Sequence, residues 1–222
     1  MRAKVITFCL LSAALASTVQ AQNLEAKVTW DAPSFFNPRP MDDIGLYFTS
    51  IERANSGSAT GLAAIWRQSG NLNLGIRLGA FDLEDIGNSL AVGAELYGPL
   101  RLFSGSQLDV AWTLGAGAVF GDDYTVGTIP LGMSLGLRLG SGSVRIEPYV
   151  HPRAALDIIA IGEGDNEETD TDVAFVLDLG ADVNIGERFI LRLGGSLLDR
   201  EAFGAGIALR WPRPISVVGR NQ

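Results

Sequence analysis

The lone histidine is the first residue to weigh for chemistry. His151 is the only histidine in 222 residues. It stands in His151-Pro152-Arg153, so no serine follows at His-x-Ser spacing to act as a nucleophile. No aspartate precedes it by one or two residues to orient the ring. General acid–base work needs such groups in mutual reach. Asp122-Asp123 could supply paired carboxylates, but no spacing ties it to His151. The acids Glu163, Asp165, Glu167, Glu168, Asp170 and Asp172 offer the oxygen ligands that hard cations favour. They lack the glycine and closing glutamate of an EF-hand loop, and at this density they read as a solvated loop. The sole cysteine is Cys9, so no thiol site exists beyond the leader. The expectation is a non-enzyme with no catalytic residue, no metal site and no cofactor.

The elements that position the remaining polar residues repeat with a period of two. Leu72, Leu74, Ile76, Leu78 and Ala80 alternate with Asn73, Gly75, Arg77, Gly79 and Phe81. Leu108, Val110, Trp112, Leu114 and Ala116 alternate with Asp109, Ala111, Thr113, Gly115 and Gly117. The same holds from Ile129, Val173 and Phe203, and segments near 44–53, 60–67, 89–98, 143–160 and 188–198 complete a set of ten. A helix, with its repeat of 3.6, would mix the two sets. Most segments run longer than the ~5–6 residues of soluble strands and reach the ~9–11 that a tilted strand needs to cross a hydrocarbon layer. Pro148 and Pro152 predict a bulge or kink in the seventh segment.

Two ends are expected to differ. Gln68–Asn71, Gly140–Gly142 and Gly186-Glu187 read as tight turns, while Ala54–Ala59, Leu83–Asn88, Gly121–Tyr124 and Gly162–Asp172 are longer or more acidic. That asymmetry, with an even strand number, places both termini on the short-turn side; the joins at Pro99–Gln107, long for that side, and Asp199–Glu201, short for the other, are its exceptions.

One face is aliphatic and nearly free of charge; the other is rich in glycine and polar groups. With 27 glycines, the polar face makes a poor solvent coat but suits a narrow lumen. The predicted fold is therefore an all-β, antiparallel up-and-down transmembrane barrel of about ten strands, with eight or twelve as alternatives. The lumen is expected to hold a network of Arg77, Glu95, Asp109, Arg138, Arg145, Glu147, Asp178, Asp182, Arg192 and Arg210, and the same face carries Arg67 and Arg153. Trp66, Trp112 and Trp211, with Tyr47, Tyr97, Tyr149 and Tyr124, are candidates for interfacial girdles, although Tyr97 and Tyr149 have lumen parity.

The start of the chain reads as a secretory signal over residues 1–21: Arg2 and Lys4, an apolar run from Val5 to Ala16, then Val19-Gln20-Ala21 at the cleavage positions. Residues 22–42 form an N-terminal segment, 43–211 the barrel and 212–222 a tail. The prolines of 30–42 make that stretch neither strand nor helix; it runs along the barrel mouth or tucks into the lumen. The formal charge of −8 argues against nucleic-acid binding.

Over residues 43–211 the chain resembles the small bacterial outer-membrane β-barrel proteins of the OmpA/OmpX type. The most specific piece is Gly206-Ile207-Ala208-Leu209-Arg210-Trp211, similar to the C-terminal strand by which such proteins are recognised for barrel insertion. Pro212–Gln222 follow it, whereas in the family the aromatic residue usually ends the chain. The resemblance implies export to the outer membrane of a Gram-negative cell, lipid and lipopolysaccharide as surroundings, and the barrel-assembly machinery as a partner. The expected role is structural or weak passive solute passage, as in a porin-like barrel. A soluble periplasmic lipid-binding barrel and an outer-membrane barrel hydrolase are the alternatives. His151 does not match the lipid A deacylases, nor does it have the Asp-His pair of the omptins.

Overall fold

The computed structural model describes residues 28–39, 41–52, 58–70, 73–83, 87–100, 108–122, 124–140, 142–162 and 168–211. The leader, Asp123, three acids of the loop (Glu163, Asp165 and Glu167) and the tail lie outside them. Ten strands are formed: β1 (Asp43–Glu52), β2 (Ser58–Gln68), β3 (Asn73–Leu83), β4 (Gly87–Pro99), β5 (Leu108–Phe120), β6 (Tyr124–Leu137), β7 (Val144–Ile161), β8 (Glu168–Ile185), β9 (Phe189–Leu198) and β10 (Glu201–Arg210). Each pairs antiparallel with its neighbours in sequence, and β1 closes on β10 from Asp43↔Arg210 to Glu52↔Glu201. Closure removes the free edges that an open sheet would leave.

The alternation sets which side chain goes where. Ile76 and Leu78 point outward at 39% and 56% exposure, while Arg77 between them is buried. On β1, Leu46 and Phe48 face out and Tyr47 and Thr49 face in. Among the described residues, outward strand positions carry charge only at one rim, at Glu52, Asp82 and Glu201. The rest of the outside is a continuous aliphatic belt that includes Leu90, Leu131 and Phe175. The packed core thus lies in the lumen.

Several expectations change. The acids Glu168, Asp170 and Asp172 belong to β8 and not to a loop, because they pair with Ile161, Ile159 and Asp157 of β7. Loop length does not distinguish the two ends. The longest join, 100–107, lies at the end that holds both termini, and the shortest, 199–200, lies at the other. The long β7–β8 hairpin turns what would be loop into strand. No bulge marks β7, since its register against β6 and β8 never shifts. Pro152 of β7 and Pro130 of β6 show instead as lapses in pairing with the preceding strand. Met133 and Ser134 of β6 are unpaired opposite Pro152 and His151, and Gly115 and Ala116 of β5 are unpaired opposite Pro130 and Ile129. A proline has no N–H to give to a ladder.

The hairpin overshoots its other neighbour. Pairing of β8 with β9 stops at Val176↔Leu198, while β8 continues to Glu168 along β7. The open side is blunted by carboxylates. The N–H groups of Thr171 and Val173 donate to Oδ1 of Asp170 and Asp172, and that of Phe175 to Oδ2 of Asp199, at 2.7–2.8 Å. Such caps remove the donors by which a strand edge recruits another chain.

Candidate functional site

The lumen is occupied by the chain's own residues 28–39 and Met41. Of the two courses open to this stretch, it takes the inner one. Val28, Trp30, Phe35 and Phe36 are each at most 2% exposed. Phe35 has a positive φ of 51°, which turns the chain between the two rings. Phe35 stacks on Tyr47 at 4.6 Å, and Phe36 meets Tyr97 edge-on at 5.0 Å and His151 at 5.5 Å.

Several inward glycines are seats for this segment, while Gly75, Gly132 and Gly180 make room for Glu95, Arg153 and Tyr149 of the wall itself. A Cβ on Gly93 would lie 2.0 Å from the Trp30 indole, and its three nearest atoms all belong to that ring. A Cβ on Gly204 would lie 2.4 Å from Phe35, and one on Gly136 would lie 2.8 Å from Pro38. The glycine-rich face therefore spares volume for a separate piece of chain.

Wall side chains hold the segment through its main chain. Arg77 donates to the carbonyls of Pro33 at 2.7 Å and Ala32 at 3.4 Å. Arg67 donates to Phe35 O at 2.9 Å and Ser34 O at 3.2 Å. Ser134 Oγ donates to Phe36 O at 2.8 Å. Five consecutive carbonyls thus find donors in the wall. The Trp30 ring N–H donates to Thr128 O at 3.1 Å.

Ion pairs complete the packing. Arg192 is fully buried and bonds both oxygens of Asp182, at 2.7 and 2.9 Å, as well as Asp43 at 3.0 Å and the Tyr47 hydroxyl at 2.8 Å. Arg153 bonds Asp178 at 2.7 Å and also Asp31 of the inserted segment. Arg200 bonds both oxygens of Asp31 at 2.8 and 3.0 Å and both of Asp157 at 2.6 and 2.7 Å. The guanidinium fork suits such paired contacts. Burial opposes ionisation of Asp31, but the facing Arg153 and Arg200 outweigh it and hold the carboxyl below its usual range. Asn37 links Glu147 at 3.1 Å to Asp182 at 3.2 Å, and Arg39 pairs with Asp109 and Glu147.

The residues expected in the lumen divide. Arg77, Glu147, Asp178, Asp182 and Arg192 are enclosed, and Glu95 is mostly buried against Arg67 at 2.8 Å. Arg145 and Arg210 are partly exposed; Arg210 reaches Asn184 at 2.7 Å. Asp109 and Arg138 are not enclosed. Their side chains are 45% and 53% exposed, because both sit where the wall ends; Arg138 lies past the last residue of β6. Sequence reasoning missed Asp31, Asp43, Asp157 and Arg200. Parity along a strand says nothing of a turn residue such as Arg200 or of a segment outside the wall. It also missed an apolar lumen cluster of Ile51, Phe81, Leu83, Val119, Val126 and Ile159 around Val28 and Trp30. All four tyrosines face inward, so Tyr47 and Tyr124 are not girdle residues. Leu209 and Trp211 of the C-terminal strand are exposed, and the Trp211 N–H donates to Asp42 O at 2.9 Å.

His151 has acquired partners distant in sequence. Nδ1 lies 2.9 Å from Ser34 Oγ and 3.4 Å from Asp178 Oδ2, and Nε2 lies 3.0 Å from Thr113 Oγ1. Ser34 and Asp178 thus share Nδ1, Thr113 alone faces Nε2, and all four side chains are buried. Among the described residues no group of three His, Cys, Asp or Glu side chains is placed to hold a metal ion.

Solved structures to which this chain has a low similarity include the following. The N-terminal β-barrel domain of Pseudomonas aeruginosa OprF is 12% identical, with a TM-score of 0.37, over 78% of this chain and 100% of that one. Neisserial surface protein A is 13% identical with a TM-score of 0.38, over 76% of this chain and 95% of that one. The KdgM porin is 7% identical with a TM-score of 0.38, over 77% and 99%. No residue's role transfers across likenesses of this size. No protein-family model matches the chain, and no curated protein matches it.

Proposed function

We propose that the protein is an outer-membrane β-barrel, exported with a cleaved leader, whose lumen is kept shut by its own residues 28–39 and whose role is structural. The observation that carries this reading is the inversion of its surfaces. An aliphatic belt faces out, with charge only at one rim, while arginines and carboxylates face in. In water such a belt would far exceed the apolar patches of soluble proteins. In a bilayer it is the required coat, and the closed ladder satisfies the main chain. Outer-membrane lipid and lipopolysaccharide then surround the belt, and Gly206, Leu209 and Trp211 form the signal offered to the barrel-assembly machinery.

The filled lumen favours a structural role over solute passage, because Trp30, Phe35 and Phe36 stand where a solute would travel. It also weighs against a lipid-binding barrel, whose cavity would have to be free. A hydrolase is disfavoured because His151 and Ser34 are enclosed. The test is cell fractionation with gel mobility of unheated and boiled samples. Membrane recovery and a mobility shift on boiling are expected. A soluble periplasmic pool with unchanged mobility would overturn the reading. Reconstituted protein is expected to give no steady conductance, and hydrolysis of lipid or peptide that is lost in His151→Ala would refute the non-enzymatic role.

A further inference from the structure

The inserted segment has a direction. The barrel wall begins and ends at one rim, where Asp43 pairs with Arg210 and the Trp211 N–H donates to Asp42 O at 2.9 Å. Val28 and Trp30 lie at the other rim. They share a buried cluster with Ile51 near the end of β1, Ala59 near the start of β2, Leu83 at the end of β3 and Tyr124 at the start of β6. Asp31 bonds Arg200 of the β9–β10 turn, at that same rim.

From there the segment crosses the lumen. Phe35 stacks on Tyr47 in the middle of β1, and Asn37 reaches Glu147 and Asp182 further along. Arg39 pairs with Asp109, the second residue of β5. Asp42 then takes the Ser69 N–H at 2.8 Å, one residue past the end of β2. The segment thus runs the height of the wall in the direction opposite to β1. The two ends of the wall share one rim, and the amino-terminal end of the chain leaves by the other.

Neither way back is open to that end. The lumen has no room for a second pass of chain, since a Cβ on Gly93, Gly204 or Gly136 would already lie 2.0–2.8 Å from Trp30, Phe35 or Pro38. The way around the outside is too long. With the leader cleaved after Ala21, six residues precede Val28, and fully extended they reach about 21 Å. The apolar band of an outer-membrane barrel is about 25 Å tall.

We propose that the barrel displays its own amino-terminal end on the cell surface, an inference that rests on the membrane reading above. Export delivers the chain from the periplasm, and an even number of strands returns it there. The rim of Asp43 and Arg210 therefore faces the periplasm, and the rim of Val28 faces outward. The mature chain starts outside, runs inward through the lumen and turns back to form β1. The bonds of Asp31 to Arg153 and Arg200 anchor it just inside the outer rim. Whatever is joined upstream of Val28 is carried to the surface with it.

The chain has no cysteine after Cys9 of the leader, so single introduced cysteines report their side of the membrane without background. Glu25→Cys is compared with Glu168→Cys, exposed at the Val28 rim, and with Glu187→Cys, exposed in the β8–β9 turn at the Asp43 rim. Intact cells are treated with a membrane-impermeant maleimide. Positions 25 and 168 are expected to label to the same extent before and after the outer membrane is permeabilised, and position 187 only after. Position 25 following position 187 would overturn the proposal and leave the membrane reading standing. Position 187 labelled in intact cells with position 168 silent would invert the barrel and overturn the proposal too. All three silent in intact cells, yet reactive in a soluble periplasmic fraction, would overturn the membrane reading and the display with it. If position 25 reacts on neither side, a peptide epitope inserted between Ala21 and Gln22 decides. Antibody binding on intact cells is expected, and binding only after permeabilisation would overturn the proposal.

Discussion

On one side of the inserted segment, Phe81, Leu83, Val119 and Val126 of β3, β5 and β6 pack around Trp30; on the other, Arg153, Asp157, Asp178 and Arg200 close around its neighbour Asp31. Two adjacent residues of the segment thus meet opposite solutions to the same problem of excluding water from a lumen. The apolar wall needs volume and shape, and hydrophobic swaps of similar size usually cost under ~1.5 kcal/mol. The ionic wall needs every charge answered in a fixed orientation, and removing one partner strands the others. One wall should tolerate repacking, and the other should not.

The largest expected effect comes from the ionic side. Arg153→Ala leaves Asp178 and Asp31 without their shared cation and should cost about 3–5 kcal/mol in urea unfolding of the detergent-folded protein. Arg153→Lys should recover little of that, because an ammonium cannot reproduce the fork. Full recovery by lysine would mean that charge alone matters. Next comes the seat beneath Trp30. Gly93→Ala places a methyl inside the indole and should cost about 1–3 kcal/mol, the usual range for overpacking. Gly127→Ala, with nothing closer than 3.7 Å to its new Cβ, should cost far less in the same measurement. Equal stability of the two variants would mean that the segment is not seated on the wall. Phe81→Leu should lower stability by less than about 1.5 kcal/mol, and a loss as large as that of Arg153→Ala would erase the contrast between the walls. The smallest effect is expected at the rim. Arg138→Ala removes a half-exposed side chain whose one ion pair, to Glu147, is 3.4 Å long, and exposed pairs contribute about 0–1 kcal/mol. A urea midpoint shifted as far as that of Arg153→Ala would place Arg138 in the enclosed lattice after all.

Alternation made the barrel legible. Ile76 and Leu78 out with Arg77 in is a statement about parity, and parity survives small errors in strand boundaries. Depth was not legible: Asp109 and Arg138 share the inward face with Asp178 and Arg192, yet they lie at the mouth, because the period of a strand encodes a face and not a height. The partners were not legible either. Arg192 finds Asp43 across 149 residues, and His151 finds Ser34 across 117. The glycines Gly93, Gly136 and Gly204 signalled that space was short. They did not say that Trp30, Pro38 and Phe35 would take it.

The inserted segment touches the wall only after there is a wall. Its holders Arg67, Arg77, Ser134, Arg153 and Arg200 come from β2, β3, β6, β7 and the β9–β10 turn, and no two sequence neighbours among them could form the site alone. The ladder from β1 to β10, by contrast, closes through strand pairs that do not involve residues 28–41. The first described stretch of the chain therefore depends on the last hairpin for a complete seat, because Asp31 meets both of its arginines only once the β9–β10 turn has brought Arg200 beside it.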